Sequence, residues 1–358
     1  MPSIQKAHTG DRPILANSKR FWSDYRPVSH APGLILALLI CAFAYATHHF
    51  TSLPVMVTAL AVGLCANMIA RSDAFQAGLD FSARSILRLG VALLGASITL
   101  QQIASLGIGV AGLVVLSVIC TIACGVATAR ILKVDLSSGA IYGGAVAICG
   151  ASAAMAISAA LPDTERNRAT TALAVIGVTI LSTIAMMAYP VIATAIGMSD
   201  HAAGVFFGAA IHDVAQVVGA GYMVSETAGD TATIVKLMRV ACLVPVVAVV
   251  AWLASRRLSS KGDDGISLAK PSLLPWFLFA FLAFSAGASS GAVAEPVLEG
   301  ISGAAKVMLV TAIAALGCKT SFSALLQIGA KPIAMLTVPT LGLMVGVLLC
   351  LTYFQRGF

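Results

Sequence analysis

Charged residues are scarce in this chain of 358 residues, where Asp, Glu, Lys and Arg together make up only 10%. Soluble globular domains carry about 25% charged residues, so this composition excludes a soluble fold. Hydrophobic residues reach 59%. They lie in apolar runs of about 20 residues, each long enough to cross a bilayer as a helix. None of these runs alternates polar and apolar residues, which excludes the strands of a membrane barrel. The sequence therefore predicts an all-α polytopic membrane protein.

Cysteine is absent from the polar loops, which excludes a disulfide framework. Two of the cysteines, Cys120 and Cys124, share a helical face, but no His or carboxylate lies near them in sequence. We therefore expect helix packing there and predict neither a metal site nor a cofactor. All eight cysteines fall in apolar runs: Cys41, Cys65, Cys120, Cys124, Cys149, Cys242, Cys318 and Cys350.

Catalytic signatures are also missing, since the chain has no nucleophile elbow, P-loop, zinc-binding HExxH or dinucleotide fingerprint. We expect no enzymatic activity and no catalytic residues. The net charge of +7 does not indicate a nucleic-acid partner, because it reflects loop charges that set membrane topology.

Eleven spans are predicted, preceded by a polar, basic segment at 1–30 that is too long and too charged for a cleaved signal peptide. The membrane domain covers 31–358. Its spans are expected at 33–50, 53–70, 84–104, 107–129, 138–161, 169–197, 202–223, 231–255, 273–291, 303–322 and 333–354.

The distribution of Lys and Arg predicts the orientation. These residues concentrate in the N-terminal segment and in alternate loops, and the exceptions on the other side are Arg166, Arg168 and Arg356. By the positive-inside rule the N-terminus is cytoplasmic, and an odd number of spans places the C-terminus in the periplasm. We expect a multi-pass protein of the bacterial inner membrane.

A faint internal repeat pairs Ser85-Ile-Leu-Arg88 with Lys236-Leu-Met-Arg239. It predicts a leading helix at 33–50 followed by two five-helix repeats, at about 53–197 and 202–354. Five is odd, so the second repeat would be inverted, which is typical of secondary transporters. A rival register pairs Ala92-Leu-Leu-Gly95 with Ala314-Ala-Leu-Gly317, but it leaves the last helices of the first repeat without partners.

In the preferred register, span five and span ten carry matched small and polar residues near their centres. We predict helix breaks at both places, with N–H groups that bind an anion near the midplane, against the alternative of small-residue packing. Lys319 adds a cation that suits an anionic solute or replaces a bound sodium ion. The predicted binding residues here are Gly150, Ala151, Ser152, Gly317, Lys319 and Thr320.

The densest polar chemistry within the apolar runs is the sequence His212-Asp213-Val-Ala-Gln216. His212 and Gln216 are four residues apart and so would share a helical face, which predicts a solute-binding face. We assign coupling to His212 and Asp213, because imidazole changes charge near neutral pH. The alternative is that the three residues form interhelical hydrogen bonds for packing.

Cations near predicted span ends form a third group. Arg88, Lys236 and Arg239 are either snorkelling residues or an anion-attracting vestibule. Asn67, at the end of span two, is expected to hydrogen-bond into the site. The Gly pairs at 139/143 and 204/208 have the spacing of helix-packing motifs.

Five motifs together resemble the bacterial YeiH-like family, to which sulfate export is assigned by name. The resemblance covers about 33–354, and it implies membership of the cation/proton antiporter and anion transporter superfamily, with crossed discontinuous helices. Asp213 departs from the usual Glu of that family. The motifs are Ile148-Cys-Gly-Ala-Ser-Ala, Ile211-His-Asp-Val-Ala-Gln-Val-Val, Lys236-Leu-Met-Arg-Val, Ala315-Leu-Gly-Cys-Lys-Thr and Gly329-Ala-Lys-Pro.

We therefore expect a secondary active transporter that moves a small anion, sulfate or a sulfur-containing relative, outward by alternating access. The alternatives are sodium-coupled uptake of an organic anion and an intramembrane enzyme that uses His212 and Asp213 as a base pair. The expected partners are the anionic solute and the lipid bilayer, with a homodimer left open and no nucleic acid.

Overall fold

The computed structural model describes residues 29–51, 53–259, 275–320 and 329–355, and within these ranges the chain forms helices and no strand. A π-helical turn at Ser82–Ile86 and a 3₁₀ turn at Gly95–Ser97 interrupt the third membrane segment. The helices are α1 Ala31–Thr51, α2 Val55–Ala70, α3 Asp73–Phe81, α4 Leu87–Leu94, α5 Leu100–Ser105, α6 Gly107–Ile131, α7 Leu136–Ala147, α8 Ala151–Ala159, α9 Glu165–Ala195, α10 Asp200–Ala210, α11 Val214–Val224, α12 Glu226–Ala241, α13 Leu243–Ser259, α14 Trp276–Ser289, α15 Glu295–Lys319 and α16 Ala330–Gln355.

Six stretches of helix in the described residues are long and apolar enough to cross a bilayer. Their exposed surfaces carry large hydrophobic side chains such as Ile108, Leu116 and Trp252. This confirms the predicted class of all-α polytopic membrane protein. The six stretches are Ala31–Thr51, Gly107–Ile131, Glu165–Ala195, Glu226–Arg256, Glu295–Lys319 and Ala330–Tyr353.

The helices pack into two bundles. The outer bundle contains α1 to α5, α14 and α15, while the core bundle contains α6 to α12 and α16. Contacts of α11 with α2 and α15 join the two bundles.

Helices α7 and α8 form a re-entrant hairpin and do not cross the membrane as one span. The chain turns at Gly150, whose positive φ of 65° is a conformation that favours glycine. Gly144 on α7 packs directly against Ile157 on α8. In a continuous helix these two residues would lie about 20 Å apart, so the two helices must run antiparallel.

The base of this first hairpin lies beside the start of α9. Ser138 Oγ and Thr170 Oγ1 are 3.2 Å apart, which places the first turns of α7 and α9 at the same level. The chain therefore leaves the hairpin on the side where it entered. We call this side of the molecule face A.

Helices α10 and α11 form a second hairpin against α12. Gly204 and Gly208 pack on Thr231 and Val235, so α10 runs parallel to α12. Gly221 packs on Gly229, so α11 runs antiparallel to α12. Helices α10 and α11 are therefore antiparallel to each other, and their tip is the segment 211–213.

Helix α9 shows that the two hairpins enter from opposite sides. Along its length, Val178 lies at the tip of the first hairpin, Ser182 bonds to the tip of the second, and Tyr189 stacks on Phe206 of α10. The base of the second hairpin thus lies at the far end of α9, on the side that we call face B. The two tips meet near the middle of α9.

The structure corrects the predicted span count and repeat. The segments 138–161 and 202–223 have the length and hydropathy of a span, but they are hairpins. The turns at Gly150 and Asp213 reverse the chain within them. The observed repeat unit is one hairpin followed by one crossing helix, and its second copy is inverted relative to the first. The crossing helix is α9 in the first copy and is formed by α12 and α13 in the second. The predicted equivalence of Arg88 and Arg239 is wrong, since Arg88 is exposed and Arg239 is fully buried.

The break predicted in span ten, around Gly317 to Thr320, falls after Gly317. Helix α15 runs through Gly317 and ends at Lys319, while residues 321–328 lie outside the described residues. A Cβ added to Gly63 would lie 2.5 Å from the Ala314 carbonyl oxygen, and one added to Gly317 would lie 2.8 Å from the Leu60 carbonyl oxygen. Gly317 is therefore a packing residue that lets α2 and α15 approach closely. The Gly pairs at 139/143 and 204/208 have the predicted packing role.

Cysteine accessibility distinguishes a hairpin from a span. We expect Lys133→Cys and Asp163→Cys, in a background without native cysteines, to react with an impermeant maleimide from one face of the membrane. Asp200→Cys should react only from the other face, since α9 separates it from Asp163. Labelling of positions 133 and 163 from opposite faces would show that the segment between them crosses the bilayer.

Candidate functional site

Lys236 of α12 ties the tips of the two hairpins together. Its ammonium nitrogen donates to the carbonyl oxygens of Ile148 at 2.6 Å and of Ile211 at 2.9 Å. It also donates to the carbonyl oxygen of His212. The side chain is fully buried. One cation thus bonds to the backbone of both tips at once.

Arg239 makes the same kind of bridge one turn further along α12. Its Nε and Nη2 donate to the Ala147 carbonyl oxygen at 2.9 and 2.5 Å, and Nη2 also donates to the Val146 carbonyl oxygen at 3.0 Å. Its Nη1 donates to the carbonyl oxygens of Ile211 at 2.9 Å and Gly208 at 3.1 Å. The guanidinium is fully buried.

These carbonyls belong to the C-terminal ends of α7 and α10. The last carbonyls of a helix have no partner within the helix, and the C-terminal end carries partial negative charge. Lys236 and Arg239 satisfy the carbonyls and complement that charge. The prediction that both residues snorkel or line a vestibule is therefore wrong, because their donors are turned inward and used by the backbone.

Asp213 begins α11 at the second tip. Its Oδ1 accepts from the Val214 N–H at 2.7 Å, and its own N–H donates to Ser182 Oγ at 3.0 Å. The side chain is half-buried and interacts electrostatically with Lys236. Neither Lys236 nor Arg239 forms an ion pair with a carboxylate in the part of the chain that the structure describes. The tip cluster therefore contains two buried cations and one carboxylate.

The start of α8 faces Asp213 across the tips. A Cβ added to Gly150 would lie 3.9 Å from both the Asp213 Cβ and the His212 carbonyl oxygen. Gly150 is the N-cap of α8, and no side chain caps this end. The next residues, Ala151 and Ser152, are half-buried. Two helix N-termini with positive partial charge thus meet at the tips.

His212 lies in the turn between α10 and α11, not on a helical face with Gln216 as predicted. It is fully buried. Its Nδ1 is 3.1 Å from the Val146 carbonyl oxygen, and its Nε2 is 3.0 Å from Thr340 Oγ1 of α16. Both ring nitrogens are therefore occupied by groups of the protein.

Gln216 carries an unsatisfied acceptor. Thr183 uses its one hydroxyl hydrogen on the Thr179 carbonyl oxygen at 3.0 Å, so Gln216 Nε2 must donate to Thr183 Oγ1, at 3.4 Å. The Gln216 Oε1 atom is buried and has no hydrogen-bond partner. It is free to accept from a donor that enters this part of the core bundle.

A second cluster lies where α15 ends. Asn67 Nδ2 donates to the carbonyl oxygens of Cys318 at 2.6 Å and Thr320 at 3.1 Å, so it caps α15 as a side chain from α2. Lys319 pairs with Asp80 of α3. The buried Thr320 hydroxyl donates to the Leu316 carbonyl oxygen at 2.9 Å.

The position of the α15 C-terminus relative to the hairpin tips follows from one contact. A Cβ added to Gly219 would lie 3.0 Å from Ile313 Cδ1. Lys319 is six residues beyond Ile313, and Asp213 is six residues before Gly219, a rise of about 9 Å in both cases. Because α11 and α15 run in opposite directions, α15 ends near the depth of the hairpin tips. The clusters share this depth but no hydrogen bond.

The predicted site residues thus divide into two groups. Gly150, Ala151, Ser152, His212 and Asp213 lie at the tips, with Gln216 one turn further along α11. Lys236 and Arg239 join this group. Asn67, Gly317, Lys319 and Thr320 lie around the end of α15. Arg88 is exposed on α4 but interacts electrostatically with Asp213, so its charge belongs with the tips.

Sequence reasoning missed Asp80, Ser182 and Thr340. Each meets its partner across a sequence separation of 31 to 239 residues, which no local pattern reveals. The described residues contain no group of His, Cys, Asp and Glu that could hold a metal ion.

Fold and site together define a polytopic α-helical membrane protein with two re-entrant hairpins. A family model described as conserved hypothetical protein 698 matches residues 32–336. A UPF0324 membrane protein of Chlorobaculum tepidum is 42% identical and covers 88% of both chains. UPF0324 membrane protein TauZ of Paracoccus pantotrophus is 41% identical over 88% of this chain and 92% of its own length. A UPF0324 membrane protein of Rhizobium meliloti is 40% identical, over 92% of this chain and 94% of its own. The chain belongs to the UPF0324 family, which is the YeiH-like family. No solved structure matches it.

Gly150→Ala tests the tip geometry. The added methyl group would lie 3.3 Å from Val178 Cγ2. The positive φ at this position also costs about 1–3 kcal/mol for residues other than glycine. We expect a lower apparent unfolding temperature in detergent. Gly300→Ala is the control, because a Cβ there meets nothing within 4 Å. Equal stability of the two variants would contradict the observed turn.

Proposed function

We propose that this protein is a secondary active transporter that carries a small anion across the bacterial inner membrane. The observation that carries the proposal is the tip cluster, where two buried cations face one carboxylate and two helix N-termini meet. Such a net positive site inside an apolar protein is costly unless it has a function. Half-helices that end at mid-membrane are typical of transporter substrate sites.

Alternating access is the proposed mechanism. The core bundle holds both hairpins, and the outer bundle meets it through α2, α11 and α15. Movement of one bundle against the other would expose the tips first to one face and then to the other. The unpaired N–H groups at Ala151 and Ser152 would bind the anion, while Lys236 and Arg239 provide the field that attracts it.

Orientation follows from the basic residues. Arg130, Lys133, Arg166 and Lys331 all lie at face A, so the positive-inside rule favours face A as cytoplasmic. Arg166 and Arg168 had been expected outside, and their place at the base of the first hairpin strengthens the charge bias. The N-terminus is then cytoplasmic and the C-terminus periplasmic. Outward movement and a sulfur-containing substrate rest on the family resemblance.

His212 is the proposed coupling residue, and its hydrogen bonds supply the reason. The Val146 carbonyl only accepts, so Nδ1 must carry a hydrogen. Thr340 has one hydroxyl hydrogen, and its Oγ1 lies 2.7 Å from the Leu336 carbonyl oxygen. A protonated His212 donates to Thr340 and satisfies every acceptor. A neutral His212 competes with Leu336 for that hydrogen.

Burial and charge oppose the protonated form of His212. Its ring is fully buried, and Lys236 and Arg239 of α12 disfavour a third cation beside them. An arriving anion would offset the cations and so stabilise the protonated imidazole. Anion binding and proton binding would then support each other, which is the linkage that a proton-coupled transporter needs.

Two alternatives fit the geometry less well. For sodium-coupled uptake, the tip carbonyls that would coordinate a cation are already taken by Lys236. For an enzyme, His212 and Asp213 would have to act as a base pair, but the Asp213 carboxylate bonds to the Val214 N–H and the imidazole bonds to Val146 and Thr340. We therefore propose no enzymatic role.

Reconstituted flux tests the proposal. Proteoliposomes should exchange a small anion from a panel of sulfate, sulfite, sulfonates and short carboxylates, and Gly150→Leu should abolish exchange without preventing insertion, because its side chain fills the space between the tips. Gly300→Leu, which meets open space, is the control. Transport of cations alone, or full activity of Gly150→Leu, would contradict the assigned site.

Coupling has its own test in the pH dependence of flux. We expect His212→Gln to flatten the pH profile, because glutamine keeps hydrogen bonds to Val146 and Thr340 but does not bind a proton. His201→Gln, an exposed histidine on α10, is the matched control. A wild-type pH profile in His212→Gln would show that a residue other than His212 couples proton movement to anion movement.

A further inference from the structure

A cavity lined by both charged and apolar side chains opens at face A. Its volume is about 410 Å³, within the range of small-molecule sites. Three cations from three different segments line it: Lys133 after α6, Arg166 in the first turn of α9 and Lys331 in the first turn of α16. Among the described residues, Asp135 is the only carboxylate in the lining.

The three cations have no counter-ions among the described residues. None of them forms an ion pair or a side-chain hydrogen bond with any residue that the structure describes. Arg168, two residues from Arg166, behaves differently and is paired with Asp163 at 2.5 Å. Lys133 has a positive φ of 53° because it follows the C-cap of α6, where the Val134 N–H donates to the Ala129 carbonyl oxygen at 2.8 Å.

Backbone and hydroxyl groups in the wall favour the same sign of ligand. The N-termini of α7, α9 and α16 converge on the cavity, and each carries positive partial charge. Tyr142 is buried, and its hydroxyl bonds to no described residue. Ser138 and Thr170 bond to each other, which uses one of their two hydroxyl hydrogens and leaves the second for a ligand.

We propose that this cavity binds a tetrahedral oxyanion, either a free sulfate-like ion or the phosphate of a lipid headgroup. Lys133, Arg166 and Lys331 supply charge from three sides, and the hydroxyl groups of Tyr142 and of the Ser138–Thr170 pair supply hydrogen bonds at the floor.

The floor of the cavity lies close to the hairpin tips. Tyr142 is one turn before Val146, whose carbonyl oxygen accepts from His212 and Arg239. Met335 lines the cavity five residues before Thr340, the partner of His212 Nε2. The site would thus be the face A vestibule of the transport path, a role that rests on the proposed function, whereas oxyanion binding does not.

Calorimetric titration of the purified full chain with sodium sulfate, at constant ionic strength, tests the binding. We expect Arg166→Gln and Lys331→Gln each to weaken the affinity by about tenfold or more, since each variant removes a hydrogen bond from a charged donor. Asp135→Asn should strengthen it, because the variant removes the one negative charge in the wall. Arg168→Gln, the matched cation outside the cavity, should leave it unchanged.

Repeating the titration in nanodiscs separates the two sources of oxyanion. Competition by an anionic phospholipid, absent with a zwitterionic one, would identify a headgroup as the resident ligand, and lack of competition would identify the free ion. Equal effects of Arg166→Gln and Arg168→Gln, or no effect of Asp135→Asn, would overturn the proposal.

The titration does not require transport, so its outcome is independent of the proposed function. Binding that depends on Arg166 in a chain without anion flux would leave the site in place and refute the transporter. Normal flux with an unchanged KM in Arg166→Gln would refute the vestibule role.

Discussion

The structure depends on the bonds that Lys236 and Arg239 make to the ends of α7 and α10. Lipid and apolar protein offer no water, so a helix that stops at mid-membrane leaves carbonyl groups that cost several kcal/mol each if unpaired. The two cations donate to the last carbonyls of both hairpins, on Val146, Ala147, Ile148, Gly208, Ile211 and His212. Without them neither chain reversal would be stable in this place.

The same bonds explain why the site carries a net positive charge. Hydrogen bonds to neutral carbonyls consume the donors of Lys236 and Arg239 but leave their charge. Asp213 offsets one of the two charges, and the α8 N-terminus adds a positive partial charge beside it. The arrangement that stabilises the hairpins therefore also creates a field that favours an anion at their tips.

Part of this architecture could be predicted from the sequence. Low charge and long apolar runs predicted the membrane class, and Gly150 and His212-Asp213 were singled out because small and ionisable residues are unusual at membrane depth. The hairpins could not be predicted, because two antiparallel helices of about ten residues have the same length and hydropathy as one span. Their direction depends on the backbone at Gly150 and Asp213 and on contacts such as that of Gly144 with Ile157.

The roles of individual residues could likewise be predicted only in part from the sequence. Gly317 and Gly150 look alike in sequence, yet Gly317 packs within a helix and Gly150 reverses the chain, because only the latter has a positive φ. Lys236 and Arg239 resembled residues of a helix end, whereas their partners come from chain segments 24 to 93 residues away. Such partners follow from tertiary structure alone.

A disulfide between the tips tests most directly whether the two hairpins meet. The ideal Cβ of Gly150 lies 3.9 Å from the Asp213 Cβ, within the range for a disulfide. In a background without native cysteines, Gly150→Cys combined with Asp213→Cys should cross-link in membranes on mild oxidation, and mass spectrometry should recover the linked peptides. Absence of the link in a correctly inserted protein would contradict the meeting of the hairpins.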